Sequence, residues 1–399
     1  MISIKSLYKI GPGPSSSHTI GPKTAVEYVL NKHKDMDYCE MTFYGSLAET
    51  GKGHLSDYIA DKTFGDVPHK IIFDYKTHTA HPNTMIFKVY KNEELIDEIQ
   101  IVSVGGGLIK VKKQKVSKLK DVYKEHNFTE IKEYCKLKNI SLYDYILENE
   151  DEDILDYADK ILTTMLNSVE SGLSKEGLLP GKLKVKRKAK ELFNRHLDHE
   201  SSAMKEKRLI SAYAFAVSEE NASGQLIVTA PTCGASGIVP SLLRYNLDQG
   251  VPRQKLIEAL LVAGLIGVIV KENASISGAE CGCQAEIGTA SSMGAALLAY
   301  LDNQSIEGIE RASEIALEHS LGLTCDPIDG YVQIPCIERN AMGAMKSIMA
   351  CSLSELMGTS NSKISFDVVV KTMYQTGKDL NRAYRETSLG GLAKVFKGE

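Results

Sequence analysis

The hydrophobic pattern changes its period once along this chain, and that change limits the possible folds more than any other feature. Up to about residue 110 the apolar residues come in short β-type runs: MTFY (41–44), KIIFDY (70–75), TMIFKVY (84–90) and IDEIQIVSV (96–104). Turn residues such as His81-Pro82-Asn83 separate several of them. From about 128 onward apolar residues recur at three- and four-residue spacing, as in FTEIKEYCKLK, ILDYADKILTTMLNSVES and GIERASEIALEHSLGL, which is the signature of amphipathic helices. A chain of 399 residues is long enough for two cores. The expected fold is an α+β N-terminal domain (1–115), a linker (116–127) and a mostly all-α domain (128–399).

Charge and hydropathy exclude several classes. The formal net charge is -4, so the basic stretch IKVKKQKVSKLK (109–120) reads as a solvated linker or helix face, and no nucleic-acid partner is expected. The acidic run ENEDED (148–153) reads as the solvated start of a helix, where negative charge complements the dipole. The longest apolar run, Ala259 to Val270, is twelve residues, short of the roughly 20 needed to span a bilayer. It reads as a buried helix, with no membrane partner. The N-terminus MISIKSLYKIGPGP lacks the apolar core of a secretory signal, so a cytoplasmic location is expected. There the eight cysteines are thiols or metal ligands rather than disulfides.

Five of the eight fall in three segments rich in Gly, Ser, Thr and Asn: TAPTCGASGIVP (229–240), ENASISGAECGCQAEIGTASSMGAA (272–296) and LGLTCDPIDGYVQIPCIERNA (321–341). Small polar residues bury little apolar area, so these segments read as the lining of a site. No C-x-x-C occurs, which disfavours a zinc ribbon or a thioredoxin-type pair, and the compact ferredoxin pattern is absent. Cys325 lies 42 residues after Cys283, and Cys336 lies 11 after Cys325. Spacing alone leaves a shared metal site and buried inert thiols equally open.

The motifs SISGAE-C-GCQ-E, LGLTCDP and QIPCIERNA, preceded by APT-GASGIVP and followed by GKDLNRAYRETSLGGLA (377–393), resemble those of the iron-sulfur-dependent L-serine dehydratases, or L-serine ammonia-lyases. The resemblance covers nearly the whole chain. IGPGPSSSHTIGP (10–22) and YGSLAETGKGH (44–54) look like the family's β domain, and the helical part looks like its α domain, here fused. It implies a 4Fe-4S cluster held by Cys283, Cys325 and Cys336, leaving one iron open as a Lewis acid for the substrate hydroxyl and carboxylate. Cys281 is then a neighbour, Cys233 carries no obligatory role, and Cys39, Cys135 and Cys351 are structural.

The resemblance further implies that a histidine removes the α-proton of L-serine, with pyruvate and ammonia as products and L-threonine as a weaker substrate. Histidine suits a base near neutral pH. His54 in GKGH is assigned that role and His18 in SSSHT an orienting or proton-transfer role. Ser15, Ser16, Ser17, Thr19, Lys52, Asn273, Ser275, Ser277 and Arg339 are candidate substrate contacts. His78 and His81 could bind metal by their spacing, but no carboxylate or thiol accompanies them closely, so they read as structural or as supporting the site from behind. A homodimer is expected, in serine catabolism that feeds pyruvate or gluconeogenesis. Some relatives end in a tail cysteine that occupies the open iron, whereas this chain ends LAKVFKGE and its last cysteine is Cys351; no thiolate from the tail is expected.

Three rivals carry less. A hydro-lyase for a di- or tricarboxylate needs more cationic residues than these motifs offer. A cluster-bearing electron carrier or sensor needs four protein ligands, where the motifs supply three. A pyridoxal-phosphate enzyme needs a Schiff-base lysine with a glycine-rich phosphate loop, and no such pair stands out.

Overall fold

The computed structural model of the chain describes residues 1–112, 121–358 and 362–396. Part of the expected linker (116–120), part of the basic stretch and the tail residues 397–399 lie outside the described residues.

The β-type runs form one mixed sheet. β1 (Ile10–Pro12) stands apart from it, while β2 (Tyr38–Tyr44), β3 (His69–Asp74), β4 (Thr84–Lys91), β5 (Glu94–Ser103) and β6 (Ile109–Val111) join in the order β3-β2-β4-β5-β6. β2 and β3 pair in parallel, with Cys39 opposite His69, and the remaining pairs are antiparallel. Alternation decides which face is covered. Cys39, Met41 and Phe43 of β2 point with Met85, Phe87 and Val89 of β4 into a core closed by Ala25, Val26, Val29, Ala60 and Phe64 from the helices Gly21–Lys32 and Ser56–Phe64. The helix Ser56–Phe64 is the crossover between β2 and β3, and its N-terminal end lies beside the loop that carries His54.

The rest is helical, as the periodicity predicts. FTEIKEYCKLK is the helix Phe128–Lys138, and the second and third periodic segments fall on the helices Ile154–Ser174 and Ile306–Glu318. Asn127, Ser141, Ser201, Ser305 and Ser365 cap their helices by accepting backbone N–H groups. The run Ala259–Val270 lies wholly buried in the helix Arg253–Asn273, surrounded by other helices of the same core. Among the described residues no helix is long and apolar enough to cross a membrane.

The N-terminal segment joins the two parts. Met1, Ile4, Leu7 and Tyr8 are buried in the helical core, and Tyr8 Oη donates to Leu260 O at 2.9 Å. β1 pairs antiparallel with β7 (Leu226–Val228), Ile10 opposite Val228. The acidic run corrects its expectation as a merely solvated helix start. Glu150 is 8% exposed and accepts from Ile4 N at 2.7 Å and Tyr123 Oη at 2.7 Å. Lys5 pairs with Asp151 and Asp153. The run therefore anchors the N-terminus, because a buried carboxylate needs donors in place of water.

Candidate active site

Glycines set how closely the loops can approach. A Cβ on Gly13 would stand 2.2 Å from Asn221 O, so only glycine lets the SSSHT loop lie against the end of the helix Ser202–Ala222. There Asn221 Nδ2 donates to Pro14 O at 3.0 Å. A Cβ on Gly278 would meet Glu286 Oε2 at 2.6 Å and Cys325 Sγ at 3.2 Å.

The two histidines meet where these loops converge, both fully buried, with ring centroids 4.5 Å apart. Their hydrogen bonds assign the tautomers. Ser46 Oγ donates to Glu386 O at 2.9 Å, so its lone pair accepts from His18 Nε2–H at 3.0 Å. His18 Nδ1 is then the acceptor for Ser17 Oγ at 2.8 Å, and both ring nitrogens are satisfied. Thr50 Oγ1 donates to Ser46 O at 2.9 Å, so His54 Nδ1–H donates to Thr50 Oγ1 at 3.0 Å. His54 Nε2 keeps a free lone pair; it is buried and hydrogen-bonded to nothing among the described residues. Burial pushes His18 down to about 4, and burial together with the close approach of the His18 ring holds His54 well below the ordinary histidine range. Both rings are neutral at pH 7.

Glu386 completes this cluster, with Oε1 3.7 Å from His54 Nε2 and 3.8 Å from His18 Nδ1. It comes from the far end of the chain. Cys325 N–H donates to Tyr384 O and Glu386 N–H to Cys325 O, each at 2.8 Å. This short bridge fixes the C-terminal loop against a cysteine segment. Burial, then the neighbouring Glu286 and Cys283, raises the Glu386 carboxyl well above the usual range.

Cys283, Cys325 and Cys336 are buried free thiols lining one small pocket together with Ser15, His54, Glu286 and Glu386. Cys336 opens the helix Cys336–Met357 directly after Pro335. Cys283 and Cys325 Sγ each lie 4.0 Å from Glu286 Oε2. Hydrogen bonding to Cys325, aided by the Arg339 guanidinium, lowers the Cys283 thiol, while Cys325 and Cys336 are raised. Three convergent unbridged thiols form a donor set suited to iron and sulfide.

The other candidate residues divide. Ser15, Ser16, Ser17 and Thr19 are buried in the SSSHT segment, where Ser16–Ile20 form a π-helical turn capped by Ser15; Ser15 Oγ accepts from His18 N–H at 3.1 Å, and Thr19 Oγ1 donates to His54 O at 2.7 Å. Their hydroxyls thus serve the loop first, though Ser15 also lines the pocket. Arg339 Nη1 donates to Thr324 O at 2.6 Å beside the thiols. Ser275 Oγ binds the Glu280 carboxylate and accepts from Ser277 N–H. Two residues point elsewhere. Lys52 is exposed with Nζ 5.6 Å from the Phe73 ring centroid, and Asn273 is exposed with Nδ2 donating to His126 O at 2.7 Å and Ile269 O at 2.9 Å. The sequence reading missed Glu286, Glu386, Ser46 and Thr50. Both glutamates lie inside motifs already singled out, CGCQAEIG and RETSLGGLA, and a carboxylate within a small-residue segment was the available signal.

Comparison with known proteins places this architecture. The family model of the serine dehydratase alpha chain matches residues 86–393, and that of the beta chain matches residues 3–60. An L-serine dehydratase of Helicobacter pylori is 40% identical, with 99% of each chain covered. L-serine dehydratase 2 of Escherichia coli is 37% identical and the L-serine dehydratase of Streptomyces coelicolor 38%, each with 98% of both chains covered. The chain belongs to the serine dehydratase family, with the beta- and alpha-type parts fused in one polypeptide, and is an enzyme of the ammonia-lyase class.

Proposed function

We propose that the protein deaminates L-serine to pyruvate and ammonia, with L-threonine a weaker substrate. The observation that carries this reading is the free lone pair of His54 Nε2, aimed into a pocket walled by three thiols. Cys283, Cys325 and Cys336 would hold a 4Fe-4S cluster, which when bound supplies a Lewis-acidic iron for the hydroxyl and carboxylate of the substrate.

His54 takes the α-proton on Nε2, since Thr50 holds the opposite nitrogen as the donor. Glu386, next to both rings, lies where it can accept a hydrogen bond from the resulting imidazolium, and His18 packs against His54 and fixes its plane. Loss of the hydroxyl as water leaves 2-aminoacrylate. This tautomerises to an imine, which a further water hydrolyses to pyruvate and ammonia without further help from side chains. Burial keeps His54 unprotonated and ready before substrate arrives.

The same reading carries a homodimer, a cytoplasmic location, a role in serine catabolism toward pyruvate or gluconeogenesis, and the division into residues 1–115, 116–127 and 128–399. The test is anaerobic purification followed by an absorption spectrum and a pyruvate assay with L-serine. Broad iron-sulfur absorption with pyruvate formation is expected. Pyruvate formed equally well by iron-free protein would overturn the cluster, and no pyruvate from the iron-loaded protein would overturn the substrate.

A further inference from the structure

A second cavity, a cleft of about 310 Å³ open to solvent, lies immediately outside the thiol pocket. Ser46, Glu49, His78, Arg382, Arg385 and Thr387 are among the residues that line it. The wall between the two spaces is thin. Arg385 and Thr387 line the outer cleft, while Glu386 between them lines the inner pocket. Ser46 lines the cleft and bonds both His18 and Glu386 on the other side.

Two polar atoms of this lining are buried without a partner, and they are of opposite kinds. Arg385 Nε is an unused donor. Among the described residues the Arg385 guanidinium makes one long hydrogen bond, Nη1 to Glu280 O at 3.4 Å, and no carboxylate lies within 4.0 Å of it. Glu49 Oε2 is an unused acceptor; the other oxygen of Glu49 binds Arg382 Nη2 at 2.6 Å. A buried donor and a buried acceptor left unpaired cost free energy unless a ligand completes them. One small molecule that supplies both a carboxylate and an ammonium is a free α-amino acid.

We propose that this cleft binds the zwitterion of an α-amino acid, its carboxylate on Arg385 and its ammonium on Glu49, and that it captures L-serine before the substrate reaches the inner pocket. The proposal rests on the serine reading given above. Arg385 and Glu49 are substrate-capturing residues and take no part in bond breaking. Arg382, paired with Glu49, orients that carboxylate, and Ser46 lies at the passage between the two spaces.

Steady-state kinetics of the anaerobic, iron-loaded enzyme test it. Arg385→Gln should raise KM for L-serine about 10-fold, the value of one charge-assisted hydrogen bond, with a much smaller change in kcat, and Arg385→Lys should recover part of the loss. L-Alanine, which has no hydroxyl to eliminate, should inhibit competitively and lose potency in both Arg385→Gln and Glu49→Gln. Propionate, without an ammonium, should lose potency in Arg385→Gln alone. Unchanged KM and unchanged L-alanine inhibition in both variants, with wild-type turnover intact, would overturn the capture site and leave the serine reading standing. A fall in kcat at constant KM would overturn it as well, by making Arg385 part of the catalytic arrangement. Absence of serine turnover in the wild type would instead remove the serine reading itself.

Discussion

Each functional side chain draws its role from what its neighbours leave unused. His18 and His54 are both buried neutral imidazoles, yet only His54 retains a lone pair, because Thr50 and Ser46 spend their hydroxyl protons on carbonyls. His54→Ala should therefore slow exchange of the serine α-hydrogen by about 100-fold or more, the range expected for loss of a general base, while iron content is retained. Normal exchange in that variant would move the base elsewhere. Cys283→Ala, Cys325→Ala and Cys336→Ala should each lose iron and activity together, whereas Cys281→Ala should spare both. The Cys281 side chain packs against the backbone of Gly377, away from the pocket lining, and iron and sulfide analysis decides between these outcomes. The cysteine and histidine candidates came from the resemblance of their motifs to the serine dehydratases, since spacing alone left the thiols open between a metal site and inert burial. Glu386 was not legible, since a carboxylate near the C-terminus looks like any solvated charge until the loop is seen folded onto Cys325.

Among the elements, the helices hold the site by close contact as much as by apolar area. The helix Ile154–Ser174 presses Gly172 onto the helix Ser202–Ala222, where a Cβ would stand 2.3 Å from Ala216 O. The obstacle is backbone and cannot rotate away. Gly172→Ala should therefore force the helices apart and destabilise the fold by about 1–3 kcal/mol, read as a lower denaturation midpoint. Activity should suffer with it, because the C-terminal turn of Ser202–Ala222 carries Asn221, which holds the SSSHT loop. Strand and helix identities were readable from period alone: IDEIQIVSV lies almost wholly in β5, and FTEIKEYCKLK coincides with its helix. The buried role of Glu150 was hidden, because it depends on an N-terminal segment 146 residues away from it in sequence.

Across the whole molecule, burying the two histidines ties stability to pH. His18 falls from 6.5 to about 4 on folding, so the unfolded chain binds the extra proton as the medium is acidified. A depressed histidine contributes stability that is fully present above about pH 6.5 and is lost as pH falls toward 4, at most on the order of 3 kcal/mol. The denaturation midpoint should drop over that window, and His18→Gln should make the curve shallower. An identical pH dependence in that variant would assign the drop to other groups. The amino-acid sequence by itself determined the α+β and all-α halves and the three cysteine segments, because periodicity and small-residue composition are local properties of a chain. Only the tertiary structure decided that His18, His54, Glu386 and the three thiols share one pocket, that Lys52 and Asn273 stand outside it, and which ring nitrogen is free. Those facts depend on loops hundreds of residues apart meeting at hydrogen-bond distance, and no local pattern encodes such a meeting.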